Sequence, residues 1–207
     1  MQTPQFPHAR PRSMLGFPPA VLALALAGCA TPTLPPNART TTAGGVTLVD
    51  QIDFSYAKPA PADFGQLKLC ALQVVSNDAV TLQDSAGSFV GRFTGIYYQT
   101  DHRQTAGGGA TLKYVDDQRR TLIANGTVIA PPGGGFLSPL AIRFELKAST
   151  SANQVGLVFY KLEQSQQRTG FLANTGFSPV GVWSGSRADA VYMKLQEQAE
   201  AIKSCMQ

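Results

Sequence analysis

"LAIRFELKAST", residues 140–150, sets Leu140, Ile142, Phe144 and Leu146 at every second position, with Ala141, Arg143, Glu145 and Lys147 between them. Successive side chains of a strand point to opposite faces, so this period of two predicts a half-buried strand with one wet face. "QVGLVFYKLEQ", residues 154–164, reads as a second strand across "STSAN", which makes the two an antiparallel pair. A sheet with one covered face is therefore the frame into which the remaining segments must fit.

Upstream, "TLIANGTVIA" (121–130) predicts a hairpin, because Asn125 and Gly126 tolerate the positive φ of a type I′ turn and β-branched residues flank them. "SFVGRFTGIYYQ" (88–99) reads as a strand with Phe89, Phe93 and Tyr97 on one side. "QLKLCALQVV" (66–75) is apolar on both faces, the mark of a central covered strand, and would hold Cys70 there. "GVTLVDQIDFSY" (45–56) reads as a short strand or a packed arm, and the twice-used Thr-Gly-Phe at 169 and 175 as turn punctuation.

One segment changes period. In "SRADAVYMKLQEQAEAIKSCM" (186–206), Ala188, Val191, Tyr192, Leu195, Ala199, Ile202 and Met206 recur at helical spacing. Ser186 followed by Asp189 resembles a capping box. About twenty helical residues span roughly 30 Å, enough to lie across a sheet. The fold class expected is α+β, a largely antiparallel β-sheet of six to eight strands covered by one long C-terminal helix, in a single domain over residues 46–207.

The N-terminal region has a different character. "MLGFPPAVLALAL" (14–26) carries no charge and follows a leader with Arg10, Arg12 and no acid, the order of a signal peptide's n- and h-regions. Thirteen residues give about 20 Å of helix, short of the roughly 30 Å needed to span a bilayer. The segment closes on Leu26-Ala27-Gly28-Cys29, and this tetrad resembles the lipobox of bacterial lipoproteins. The resemblance implies cleavage between Gly28 and Cys29, removal of residues 1–28, and a lipidated Cys29 carrying diacylglycerol and palmitate-like acyl chains. Several such chains exceed the two-signal threshold for durable anchoring. Ala30 stands where the family places Asp for inner-membrane retention, which implies an outer-membrane lipoprotein on the periplasmic face. An ordinary signal peptide with an incidental Cys29, or a buried Ala/Leu helix, is the alternative.

Residues 29–45, rich in Thr and Pro, read as a flexible tether. Loss of Arg10 and Arg12 lowers the formal net charge from +4 to +2, and without a dense basic run there is no warrant for nucleic-acid binding. Of three cysteines, Cys70 and Cys205 remain after lipidation. In an oxidising compartment they read as one disulfide, the alternative being two separate buried thiols.

Catalytic side chains are sparse. His102 is the one histidine beyond the leader; it lies in a polar, glycine-ended stretch and is expected on an exposed loop, with Asp101 beside it. No Gly-x-Ser-x-Gly elbow accompanies it. No His or Cys set has metal-ligand spacing, so neither a metal nor a cofactor is expected. "TAGGGA" and "PPGGGF" lack the Gly-Lys-Ser/Thr continuation of a phosphate loop. Asp116 and Asp117 are expected in a turn. Among the aromatics Tyr97, Tyr98, Phe136, Phe159, Tyr160, Phe171, Phe177 and Trp183, core placement is the bland expectation; Trp183, Tyr97 and Tyr98 are the candidates for ligand or partner contact.

The expected function is thus a non-enzymatic binding, assembly or accessory module of an envelope system, membrane-held through Cys29 and with an envelope protein as partner. The alternatives are a lipid- or glycan-binding carrier with a pocket between sheet and helix and, further off, a hydrolase built on His102.

Overall fold

Alternation makes β9 (Leu140–Thr150) the spine of the structure. Leu140, Ile142, Phe144, Leu146 and Ala148 are buried in the main core, and Arg143, Glu145 and Lys147 take the other face. The computed structural model describes residues 33–58, 63–133 and 138–207. The expected leader 1–28, Cys29 and Phe136 lie outside the described residues. In chain order the other elements are β1 (Ala38–Ala43), β2 (Val46–Ala57), α1 (Phe64–Val74), β3 (Ala79–Asp84), β4 (Phe89–Val90), β5 (Tyr97–Tyr98), β6 (His102–Gly107), β7 (Leu112–Asp116), β8 (Thr121–Ala130), β10 (Gln154–Gln166), β11 (Ser178–Pro179) and α2 (Ala188–Cys205). The main sheet is antiparallel throughout, in the order β1-β2-β10-β9-β8-β7, with β11 paired to β10. The architecture is α+β, and the β9–β10 hairpin forms across "STSAN" as expected.

Two helices cover the sheet, where one long helix was expected. α2 has 18 residues and buries Ala188, Val191, Leu195, Ala199 and Ile202. α1 stands where a central strand was expected. Its buried residues Phe64, Leu67, Cys70 and Ala71 fall on one helical face, and Asp63 caps it by accepting from Gly65 N–H. Leu69 and Leu72, exposed on its other side, gave the stretch its two-faced apolar look. Cys70 and Cys205 are disulfide-bonded, with Cα atoms 5.6 Å apart. The bond therefore ties helix to helix rather than strand to helix. Ser186 is not the cap of α2: Arg187 is, at φ 60°, with no side-chain cap bond, and its guanidinium instead holds the carbonyls of Ser138 and Pro131 at 2.9 and 2.8 Å.

Three further expectations change. Residues 38–43 of the expected tether form edge strand β1, paired to β2 from Ala38↔Ile52 to Ala43↔Val46, and Leu34 packs on the core. Residues 88–99 are not one strand but a tight arm in which two-residue strands β4 and β5 face each other. Asn125-Gly126 is no turn: β8 runs straight through and pairs with β9 from Thr121↔Ser149 to Ala130↔Leu140. Gly126 serves packing instead, since a Cβ there would lie 2.3 Å from Phe144 Cζ and 2.9 Å from Val75 Cγ1. Gly126→Ala is expected to lower unfolding free energy by about 1–3 kcal/mol, the usual cost of overpacking, measured by urea titration. An unchanged midpoint would show that the Phe144 ring moves aside freely.

Candidate functional site

The helix-free face of the sheet carries the most organised chemistry, and two bulges create it. In β2, Arg39 pairs with Gln51 and Thr40 with Val49, leaving Asp50 as an extra residue. In β10, Tyr160 pairs with Glu145 and Glu163 with Arg143, so two β10 residues oppose Phe144 alone. Lys161, at φ 51°, takes the bend, and the phase of the strand reverses behind it. Val155, Leu157 and Phe159 point into the core, and so does Leu162; without the bulge the core position would fall on Lys161. The bulges are neighbours, since Gln51 pairs with Tyr160. Beyond them β2 and β10 part, and residues 178–182 fill the fork: Val180 N–H donates to Leu162 O, Val49 N–H to Val180 O, and Val182 N–H to Thr47 O.

Over this fork lies an open hollow of about 970 Å³ whose lining includes Thr41, Asp50, Gln51, Arg143, Glu145, Lys147, Tyr160, Lys161 and Glu163. Charges alternate across the strands. Arg39 on β1 meets Asp53 on β2 at 2.9 Å, Lys161 on β10 meets Glu145 on β9 at 2.9 Å, and Lys113 on β7 reaches the same Glu145 oxygen at 2.7 Å. Arg143 and Glu163 pair at 2.6 Å, and the Arg143 guanidinium lies 4.0 Å from the centre of the Phe177 ring.

Glu145 is the hub. Burial disfavours its charged form, but hydrogen bonds from Lys113, Lys161 and Tyr160 outweigh this and hold its carboxyl at about 2. Burial, then the carboxylate beside it, push Tyr160 up to about 12. A carboxyl that ionises more readily folded than unfolded adds stability that is complete above its unfolded value of 4.5 and is lost as pH falls from there towards 2. Glu145→Gln should therefore cost on the order of 2 kcal/mol at pH 7, and the difference from wild type should shrink to nothing near pH 2. Parallel urea titrations at several pH values test this, and a pH-independent difference would contradict it.

The residues singled out from sequence are dispersed. Tyr97 and Tyr98 lie on the arm and are half-exposed. Trp183 lies against the Gly181 backbone and lines a separate hollow with Asn174, Gly176 and Arg187. His102 is exposed on β6 rather than in a loop, with Nε2 3.2 Å from Ala86 O. Its neighbour Asp101 accepts from Gln99 Nε2 at 3.0 Å, and Asp84 stands opposite His102 across the β3–β6 pair. Asp116 ends β7, its carboxylate accepting from Arg119 N–H, and Asp117 in the turn pairs with Lys68 at 2.7 Å. Among the described residues no group of His, Cys, Asp and Glu could hold a metal ion. Where the alternative carrier reading places a pocket between sheet and helix, the described residues pack as core, Phe144 and Phe159 joining Phe54, which meets Tyr192 of α2. The hollow lies on the opposite face. Phe159 is core as expected, but Phe171 is exposed.

No family model matches the chain, and no curated protein matches it. A solved structure, the crystal structure of a DUF4468 family protein from Bacteroides ovatus, is similar over 80% of this chain and 83% of that one, with 6% identity and a TM-score of 0.36. That likeness is too slight to carry an argument about fold or function. No described helix is long and apolar enough to cross a membrane.

Proposed function

We propose that the chain is a lipid-anchored envelope lipoprotein of the outer membrane, facing the periplasm, whose folded domain is a binding or assembly module presenting the forked sheet face to a protein partner. The observation that carries the reading is the pairing of the Leu26-Ala27-Gly28-Cys29 tetrad with a Cys70–Cys205 disulfide. The first implies export and lipidation, and the second belongs to an oxidising compartment. The hollow supports the binding role. Its floor mixes apolar Leu48 and Val158 with charges of both signs, which suits a polar polypeptide surface more than a bare hydrocarbon chain.

Metabolic labelling with an alkyne-tagged fatty acid tests the anchor: label on the wild type should vanish in Cys29→Ser, and equal labelling of both would overturn it. A photocrosslinking residue at Thr41, on the rim of the hollow, should capture a partner in cells, whereas one at exposed Met193 on α2 should not. Capture from Met193 alone would move the binding role to the helical face.

A further inference from the structure

The ribbon of β3 and β6, paired from Ala79↔Gly107 to Asp84↔His102, extends into an arm over residues 85–101. Its shaft is closed by the stacked rings of Phe89 and Tyr98, 4.9 Å between centroids. Its tip is a tight turn in which Gly91 N–H donates to Ile96 O and Gly95, at φ 65°, donates to Gly91 O. None of the described residues covers the apolar side chains there: Phe93 is 98% exposed, Val90 62% and Ile96 57%. An apolar group of that size left in water on a convex tip has no folding rationale, because the core gains nothing from it.

We propose that this arm is a lipid finger, inserting Val90, Phe93 and Ile96 into the interfacial layer of the phospholipid bilayer at which the chain is anchored. Three observations favour a bilayer over a protein partner. The tip is one tight turn on a two-stranded arm, a small area beside the roughly 800 Å² per partner of a standard protein interface. From Ser85 to Thr100 there is no carboxylate and one cation, Arg92 in the turn itself, which suits the phosphates of a headgroup layer. Tyr98 sits on the shaft behind the tip, with Tyr97 one step nearer beside Val90, where the amphipathic rings of membrane proteins collect at the headgroup level. Carboxylates resume at the base with Asp84 and Asp101; Asp84 is held ionised by the N–H groups of Asn174 and Ala86, at 2.9 and 3.0 Å.

The inference rests on the anchored reading, which also explains how so small a contact suffices. Only three residues separate Cys29 from Thr33, the first described residue, and Leu34 is already packed on the core. At up to about 3.5 Å per residue, the anchor holds Thr33 within roughly 15 Å of the lipid surface. At that range a weak second contact forms at high effective concentration.

The test uses the lipidated protein reconstituted into phosphatidylethanolamine/phosphatidylglycerol vesicles, with the single tryptophan moved by Trp183→Phe and Phe93→Trp. Phe93 is almost fully exposed, so its exchange leaves the fold intact. The expected result is co-flotation with vesicles, a blue-shifted indole emission, and loss of most of that emission when the lipids are brominated on their acyl chains. Flotation with an unshifted, unquenched indole would overturn the finger and leave the anchor standing. A blue shift that persists without vesicles and resists brominated lipid would mean that protein covers the tip, and would overturn the lipid assignment. Failure to float would overturn the anchored reading and, with it, this inference.

Discussion

Reduction of Cys70–Cys205 should lower the melting temperature by roughly 10–20 °C. The bond spans 135 residues, and by the chain-entropy model closing a loop of that length removes about 5 kcal/mol of freedom from the unfolded chain. It also fastens α1 to α2, which share the core over the sheet. A loss of this size is a large part of the 5–15 kcal/mol typical of a domain. The measurement is thermal unfolding with and without reductant, with alkylation to verify that both thiols are free; the Cys70→Ala/Cys205→Ala protein should match the reduced wild type. An unchanged melting temperature with both thiols alkylated would mean that helix packing alone holds α1 in place.

The second large effect is expected from Phe159→Ala, at about 3–5 kcal/mol. Phe159 is fully buried and lies edge-on to Phe54 and Phe144, with centroids 5.9 and 5.2 Å away. Its loss leaves a cavity among rings carried by β2, β9 and β10, three strands that cannot draw together without breaking their ladders. Phe159→Leu should cost much less, because most of the volume is kept. Urea titration should show both midpoints shift at constant slope. Equal costs for the two variants would indicate that the core collapses around either one.

What was legible in the sequence follows from where local pattern and tertiary setting agree. β9, α2 and the first half of β10 each carry one apolar face of one period, and each formed. The disulfide was also legible, since a count of two cysteines and a compartment require no geometry. α1 was misread because Leu69 and Leu72 lie exposed on its far side, so the stretch looked apolar all round when a single helical face packs. Asn125-Gly126 was misread because Gly126 is needed for its missing side chain, displaced by Phe144, and not for a turn. β1 was hidden in a Thr-rich stretch whose strand character depends on β2 lying beside it.

The candidate site was less legible still. Arg143, Glu145 and Lys147 read as a wet face, and no spacing rule brings Lys113 and Lys161 to one oxygen of Glu145. The bulges at Asp50 and Lys161 leave only a faint trace, a change of phase within one strand: Phe159 and Leu162 are both buried, three positions apart where alternation would demand an even number.

The fork they open links the two faces of the sheet. β2 and β10 share a seam from Ala57↔Gln154 to Gln51↔Tyr160 and then separate, so the sheet divides into two leaves joined along one line, with residues 178–182 as the wedge between them. Val180 in that wedge is fully buried, and the same stretch runs on into the Trp183 loop and α2. One continuous run of chain, from residue 178 into α2, thus both fills the fork beneath the hollow and seats the helix on the opposite face.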